Sequence, residues 1–184
     1  MLRLWHEYIS SPLHPDWADL ALVLVISTEP HLLVDTAYRS PFTVGRHIKT
    51  LPFDEHQCHA LDRCYPDLLT AEQQAQLRQL LRGHPYLTRL AYYRLTAPDR
   101  IELEQLIDQA ALDNGHFGDH LRALRVRLGE RPELLEAFDQ ARRTGMIDNR
   151  DLYYCLYGAG LVREEEGRIN PANLLYARYF GDAR

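Results

Sequence analysis

Apolar and polar positions along the 184-residue chain change texture twice. Over residues 1–10, Leu2, Leu4, Trp5 and Ile9 recur at helical spacing, which predicts a short amphipathic helix ahead of the loop SSPLHPDW. Leu20–Ile26 then reads LALVLVI without polar alternation, the pattern of a strand covered on both faces in a parallel sheet. Such a strand needs parallel neighbours and covering helices. The other strand candidate in the first half is the short Arg46–Leu51.

From Asp54 onward the period is helical. Asp54 is placed to cap FDEHQCHALDRCY, and Thr70 with Gln73 makes a capping box at the start of a helix that ends at Gly83. Gly83 and Pro85 interrupt the otherwise helical stretch LRGHPYLTRLAYYRL: Gly83 permits a left-handed backbone, and Pro85 has the φ of a first helical turn. A second helix is therefore predicted from Pro85 to Leu95, with Leu87, Leu90, Ala91 and Leu95 on its apolar face. Further helices are predicted over Glu102–Ala111, Phe117–Leu128, Pro132–Arg143, Asn149–Tyr157 and Pro171–Phe180. Between the last two, LVREEEGRIN reads as two short strands around an acidic turn. Three helices followed by a small hairpin is the order of a winged-helix domain.

Composition narrows the class. A 46% hydrophobic content places the chain among globular proteins, and Leu20–Ile26, its longest apolar run, is far too short for a membrane span. The N-terminus lacks a secretion-signal pattern, so a cytoplasmic location is expected. The net charge of −5 argues against a chain built to hold nucleic acid. All the excess acidity lies in residues 1–115, with 10 Lys/Arg against 15 Asp/Glu, whereas 116–184 carry 11 of each. Cys58, Cys64 and Cys155 make no dense framework, so reduced thiols are expected. Cys58 and Cys64 lie close to His56 and His59, yet the spacing matches no common zinc pattern and four such side chains on one helix point in several directions, so no metal site is expected.

The segments MLRLWHE, LALVLVISTEP, SPFTVGRHIKTLPF, LLRGHPYLTRLAYY, DNGHFGDHLRAL and LYYCLYGAGLVREEEGRINPANLLYARYF, in that order, resemble the C-terminal part of bacterial AAA-like P-loop ATPases of the STAND signalling class. The resemblance implies three parts: a remnant of the P-loop α/β sheet over residues 1–53, a helical lid over 54–112 and a winged helix over 113–184. It implies that Leu20–Ile26 is the sensor-1 strand, with Ser27 and Thr28 facing the γ-phosphate, and that Gly83 and Pro85 belong to the Gly-x-Pro element of the lid that packs against bound nucleotide. It also places Met1 inside the family's ATPase, so that the chain is a fragment, a late-starting reading frame or a relic without its catalytic half.

The departures from the family matter equally. The chain contains no G-x-x-x-x-G-K-[ST] and no strand ending in a paired Asp-Glu, and its single lysine is Lys49. Hydrolysis is not expected of it, nor is any residue expected to act as nucleophile or general base. No cofactor is expected for the chain alone; ATP or ADP would bind once a P-loop half completes the site. A local reading of the same residues makes Ser27 and Thr28 a strand end that caps a following helix, Gly83 and Pro85 a plain joint, and His84 a helix-start imidazole facing solvent or a nucleotide neighbour.

The first functional reading is thus a non-catalytic, nucleotide-sensing regulatory portion of such an ATPase. It would relay the state through the winged helix to a protein effector, its partner being a P-loop half or a second copy. The alternative is a winged-helix DNA-binding regulator. Against it, Asn149–Tyr157 offers Arg150 between Asp148 and Asp151, and the wing is Glu164-Glu165-Glu166, which repels a phosphate backbone. Arg122, Arg125, Arg142 and Arg143 remain as a candidate basic cluster or a solvated face. A third reading is an adaptor that oligomerises through an exposed sheet. Tyr153, Tyr154, Tyr157, Tyr176, Tyr179 and Phe180 have helical spacing and are expected mostly in the core.

Overall fold

The computed structural model describes Tyr8, Ser11, Leu13, 15–17, Asp19, Ala21, 23–25, Arg46, Ile48 and 50–181. The chain divides into two units, Met1–Thr50 and Leu51–Arg184. In the first, Tyr8 is helical, Pro15–Trp17 forms one 3-10 turn, and the Tyr8 and Trp17 rings lie 5.6 Å apart. Ala21 and Val23–Val25, the described part of the expected strand Leu20–Ile26, are not in a strand, and Val23 and Val25 stand exposed. The same holds for Arg46, Ile48, Thr50 and Leu51 of the second strand candidate. A parallel strand exists only through ladder bonds to its neighbours, and no described residue supplies them here. The expected sensor-1 residues Ser27 and Thr28 lie outside the described residues.

The second unit is mainly helical. Asp54 caps α1 (Glu55–Asp62) through a capping box with Gln57, and Thr70 caps α2 (Ala71–Leu81) through the same device with Gln73. Each box satisfies two of the four N–H groups that a helix start leaves open. The left-handed pair Arg82 and Gly83 ends α2, and Pro85 opens α3 (Pro85–Thr96). Then follow α4 (Leu103–Asp108), α5 (Gly118–Gly129), α6 (Pro132–Thr144) and α7 (Arg150–Gly158), the last capped by Asn149.

Strands β1 (Val162–Glu165) and β2 (Arg168–Pro171) pair antiparallel, with Val162 opposite Pro171 and Glu165 opposite Arg168. Glu166 and Gly167 both have positive φ, 51° and 76°, which suits the two-residue turn of a tight hairpin. Helix α8 (Leu174–Gly181) closes the unit. It starts later than the expected Pro171 because Pro171 is taken by β2, and Asn173 caps the helix by accepting from Tyr176 N–H at 2.8 Å. Glu102–Ala111 likewise shortens to α4, its last residues passing into successive tight turns.

One core serves the second unit. Leu80, Leu81, Leu87, Leu103 and Leu106 from α2–α4 share it with Phe117, Leu121, Phe138, Leu156, Leu161, Leu175 and Tyr176. Helix α8 packs on α2, α6 and β2, so the last helix holds the two ends of the unit together. Of the aromatic set, Tyr176, Tyr179 and Phe180 are buried; Tyr153, Tyr154 and Tyr157 are half-buried on α7.

Candidate functional site

The joint between α2 and α3 concentrates the unusual backbone. Arg82 (φ 48°) and Gly83 (φ 72°) are both left-handed, and the Gly83 carbonyl accepts from Phe53 N–H at 2.8 Å. A Cβ on Gly83 would stand 2.2 Å from the Phe53 carbonyl oxygen, so only glycine allows the two backbones to come this close. The close approach at Gly83 is therefore made by the chain's own segment before α1. Pro85 occupies the first helical position, where its missing N–H costs nothing.

Between them, His84 is the N-cap of α3, its Nδ1 accepting from Leu87 N–H at 3.3 Å. It does not face solvent as the local reading expects. It is half-buried, and its Nε2 lies 3.1 Å from the hydroxyl of Tyr176 on α8. The same hydroxyl lies 2.8 Å from Nε2 of His120 on α5. Tyr176 is 2% exposed, and the Tyr86 ring covers His120 at 5.3 Å. Burial pushes the His84 imidazole below its ordinary value. Burial, then the neighbouring His84 and Arg127, pushes His120 down to about 4, and burial raises the Tyr176 phenol. All three groups are held neutral, which suits a hydrogen-bonded strut between three helices.

One contact ties the joint to the hairpin, and another ties α7 to it. Arg82 donates to Glu165 at 3.3 Å, and Glu165 also receives Arg163 at 2.7 Å. Glu164 accepts from Tyr153 at 3.1 Å. The acidic turn is thus tied at Glu164 and Glu165.

A second polar cluster lies under α1. Asp62 accepts from the Tyr92 hydroxyl and from Arg78 at 3.3 Å, with His59 Nδ1 at 3.5 Å. Arg89 donates to the Tyr65 hydroxyl and stands over that ring. Beside them is an open depression of about 630 Å³ lined by His59, Asp62, Arg63, Tyr65, Pro66, Asp67, Leu69 and Gln74. Burial and the Asp62 bond raise the Tyr92 phenol, so Tyr92 is a donor rather than a base. Cys58 donates toward the Phe53 carbonyl at 3.9 Å and Cys64 toward that of Ala60 at 3.4 Å, two unrelated directions. Among the described residues no group of three or more His, Cys, Asp or Glu is placed to hold a metal ion.

Each arginine of the candidate basic cluster has an aspartate partner. Arg122 meets Asp119 and the Asp113 carbonyl, Arg125 meets Asp113 at 2.8 Å, and Asp139 receives Arg142 at 2.6 Å and Arg143 at 2.8 Å. Three aspartates thus serve the four arginines, as in a solvated charged face. Among the described residues no helix is long and apolar enough to cross a membrane.

Gly83 and Pro85 thus sit where spacing placed them, but the residues that give the joint its reach, His120, Tyr176 and Phe53, carry no local signal. His84 and Tyr176 are 92 positions apart, and helical periodicity marks Tyr176 only as core. No curated protein and no solved structure matches the chain. A family model described as an AAA-like domain matches residues 1–182, and the chain therefore belongs to the AAA-like domain family.

Proposed function

We propose that the chain is the non-catalytic, nucleotide-sensing regulatory portion of an AAA-like ATPase of the STAND class, relaying nucleotide state through a C-terminal winged helix to a protein partner. Residues 1–53 are the remnant of the ATPase core, 54–112 the helical lid and 113–184 the winged helix. Ser27, Thr28, Gly83 and Pro85 face ATP or ADP once a P-loop half completes the site. The mechanism is a rigid-body switch whose two positions are favoured differently by the two nucleotides.

The observation that carries this reading is the bond between His84, the middle residue of the Gly-x-Pro element, and Tyr176 of the last helix at 3.1 Å. A displacement of the joint moves a buried group of the C-terminal part, which is what a relay requires. The pairing of Arg122, Arg125, Arg142 and Arg143 with aspartates favours a protein over duplex DNA as the receiver. The absence of a Walker lysine motif supports a responding rather than a hydrolysing role.

Calorimetry tests the reading. The chain alone should give no heat with ATP or ADP, and heat should appear once the P-loop half, encoded in frame upstream of the Met1 codon or by an adjacent gene, is added. Tight binding by the chain alone, or a reading frame without any P-loop beside it, would overturn the proposal.

A further inference from the structure

The Tyr176 hydroxyl and its two imidazoles form a chain whose direction is fixed from one end. Leu87 N–H points at Nδ1 of His84, so that nitrogen carries the lone pair and the ring proton of the neutral imidazole sits on Nε2. His84 Nε2–H therefore donates to the Tyr176 oxygen at 3.1 Å. The phenolic proton is left to donate to Nε2 of His120 at 2.8 Å, which places the proton of His120 on Nδ1. Each contact has one proton, and a second has nowhere to go.

We propose that this ordered chain is a proton-sensitive latch that holds α8 against α3 and α5, and that protonation of His120 opens it. An added proton on His120 Nε2 sets two N–H groups on the Tyr176 oxygen and strands the phenolic hydrogen in a site 2% exposed. An added proton on His84 Nδ1 faces Leu87 N–H and removes the α3 cap. The charges around the latch oppose protonation. From α3 it is faced by His84 and the Tyr86 ring, from α5 by Arg127, and from α8 by Tyr176. Among the described residues no carboxylate acts on either ring, so nothing offsets the added charge. The inference stands whether or not a nucleotide is sensed, since it rests on the three side chains alone.

Hydrogen exchange on the full chain between pH 8 and 5, corrected for the intrinsic rate, reads the latch directly. With His120 held at about 4 closed and at its ordinary value near 6.5 open, the opening of α8 should rise by roughly thirtyfold at pH 5 relative to pH 8. The amides of α6 should change less. H120Q places a non-titrating carbonyl acceptor where Nε2 stands, and should keep α8 closed while flattening the pH dependence. A second readout needs no variant: the nitrogen chemical shifts of the imidazoles at pH 8 should show His84 protonated on Nε2 and His120 on Nδ1. A flat profile in the wild type, equal loosening of α6 and α8, an unchanged step in H120Q, or the opposite tautomers would each overturn the latch.

Discussion

Replacing Gly83 by alanine isolates the close approach at the α2–α3 joint. Two costs add at this position. The left-handed backbone, φ 72°, costs an L-residue about 1 kcal/mol. The new Cβ would stand 2.2 Å from the Phe53 carbonyl oxygen, so Phe53 must retreat by about 1 Å, stretching its 2.8 Å bond to the Gly83 carbonyl and costing about 1–3 kcal/mol more. Gly160 supplies the control. Its φ is 71° and a Cβ there meets nothing within 4 Å, so G160A bears the backbone cost alone. Urea unfolding of the purified chain, read by circular dichroism, should show G83A less stable than wild type by about 2–4 kcal/mol and G160A by about 1. In thermal melts this corresponds to roughly 10 °C against roughly 4 °C. Equal losses in the two variants would refute the claim that Gly83 is required by its approach to Phe53 rather than by its backbone conformation.

Two further outcomes follow from burial and charge. Phe138 is 1% exposed and meets Phe180 edge-on with ring centres 5.3 Å apart, so Phe138→Ala should cost about 3–5 kcal/mol in urea unfolding, and a loss below 1 kcal/mol would place it outside the core. Fluorescence anisotropy with a labelled DNA duplex should show no affinity beyond weak non-specific association at low salt, because Arg122, Arg125, Arg142 and Arg143 already serve aspartates; tight binding that falls steeply with salt and is lost on changing Arg142 and Arg143 would establish the DNA reading instead.

Local rules carried the helices. Asp54, Thr70, Pro85, Pro132 and Asn149 each mark a helix start that the structure keeps, because capping and first-turn chemistry act within four residues and need no tertiary partner. The acidic hairpin was legible for the same reason, its Glu-Gly turn standing between two short segments that carry Leu161, Val162 and Ile169. Pro171 misled because a proline suits a first helical turn and a strand end alike, and pairing with Val162 decided between them. Leu20–Ile26 misled in a deeper way. An apolar run states that a segment must be covered but not by what, and Ala21 and Val23–Val25 find no strand partner among the described residues. The His84–Tyr176–His120 set was illegible in principle, since three single side chains separated by 36 and 56 positions leave no period to read.

The three residues Arg82, Gly83 and His84 are bonded to three different parts of the unit, and this decides how the joint can behave. Arg82 holds the hairpin through Glu165, Gly83 holds the segment before α1 through Phe53, and His84 holds α8 through Tyr176. A displacement of the joint therefore strains contacts to three segments at once. The exposed ion pair is worth at most a few tenths of a kcal/mol, and each of the two hydrogen bonds about 1 kcal/mol net. Together the three anchors oppose displacement by about 2–3 kcal/mol, the same size as the coupling energies that link a bound effector to a distant site. A ligand or partner that favours the displaced joint by that amount is sufficient to break the His84–Tyr176 bond, while α8 stays held by its buried Leu175, Tyr176 and Phe180.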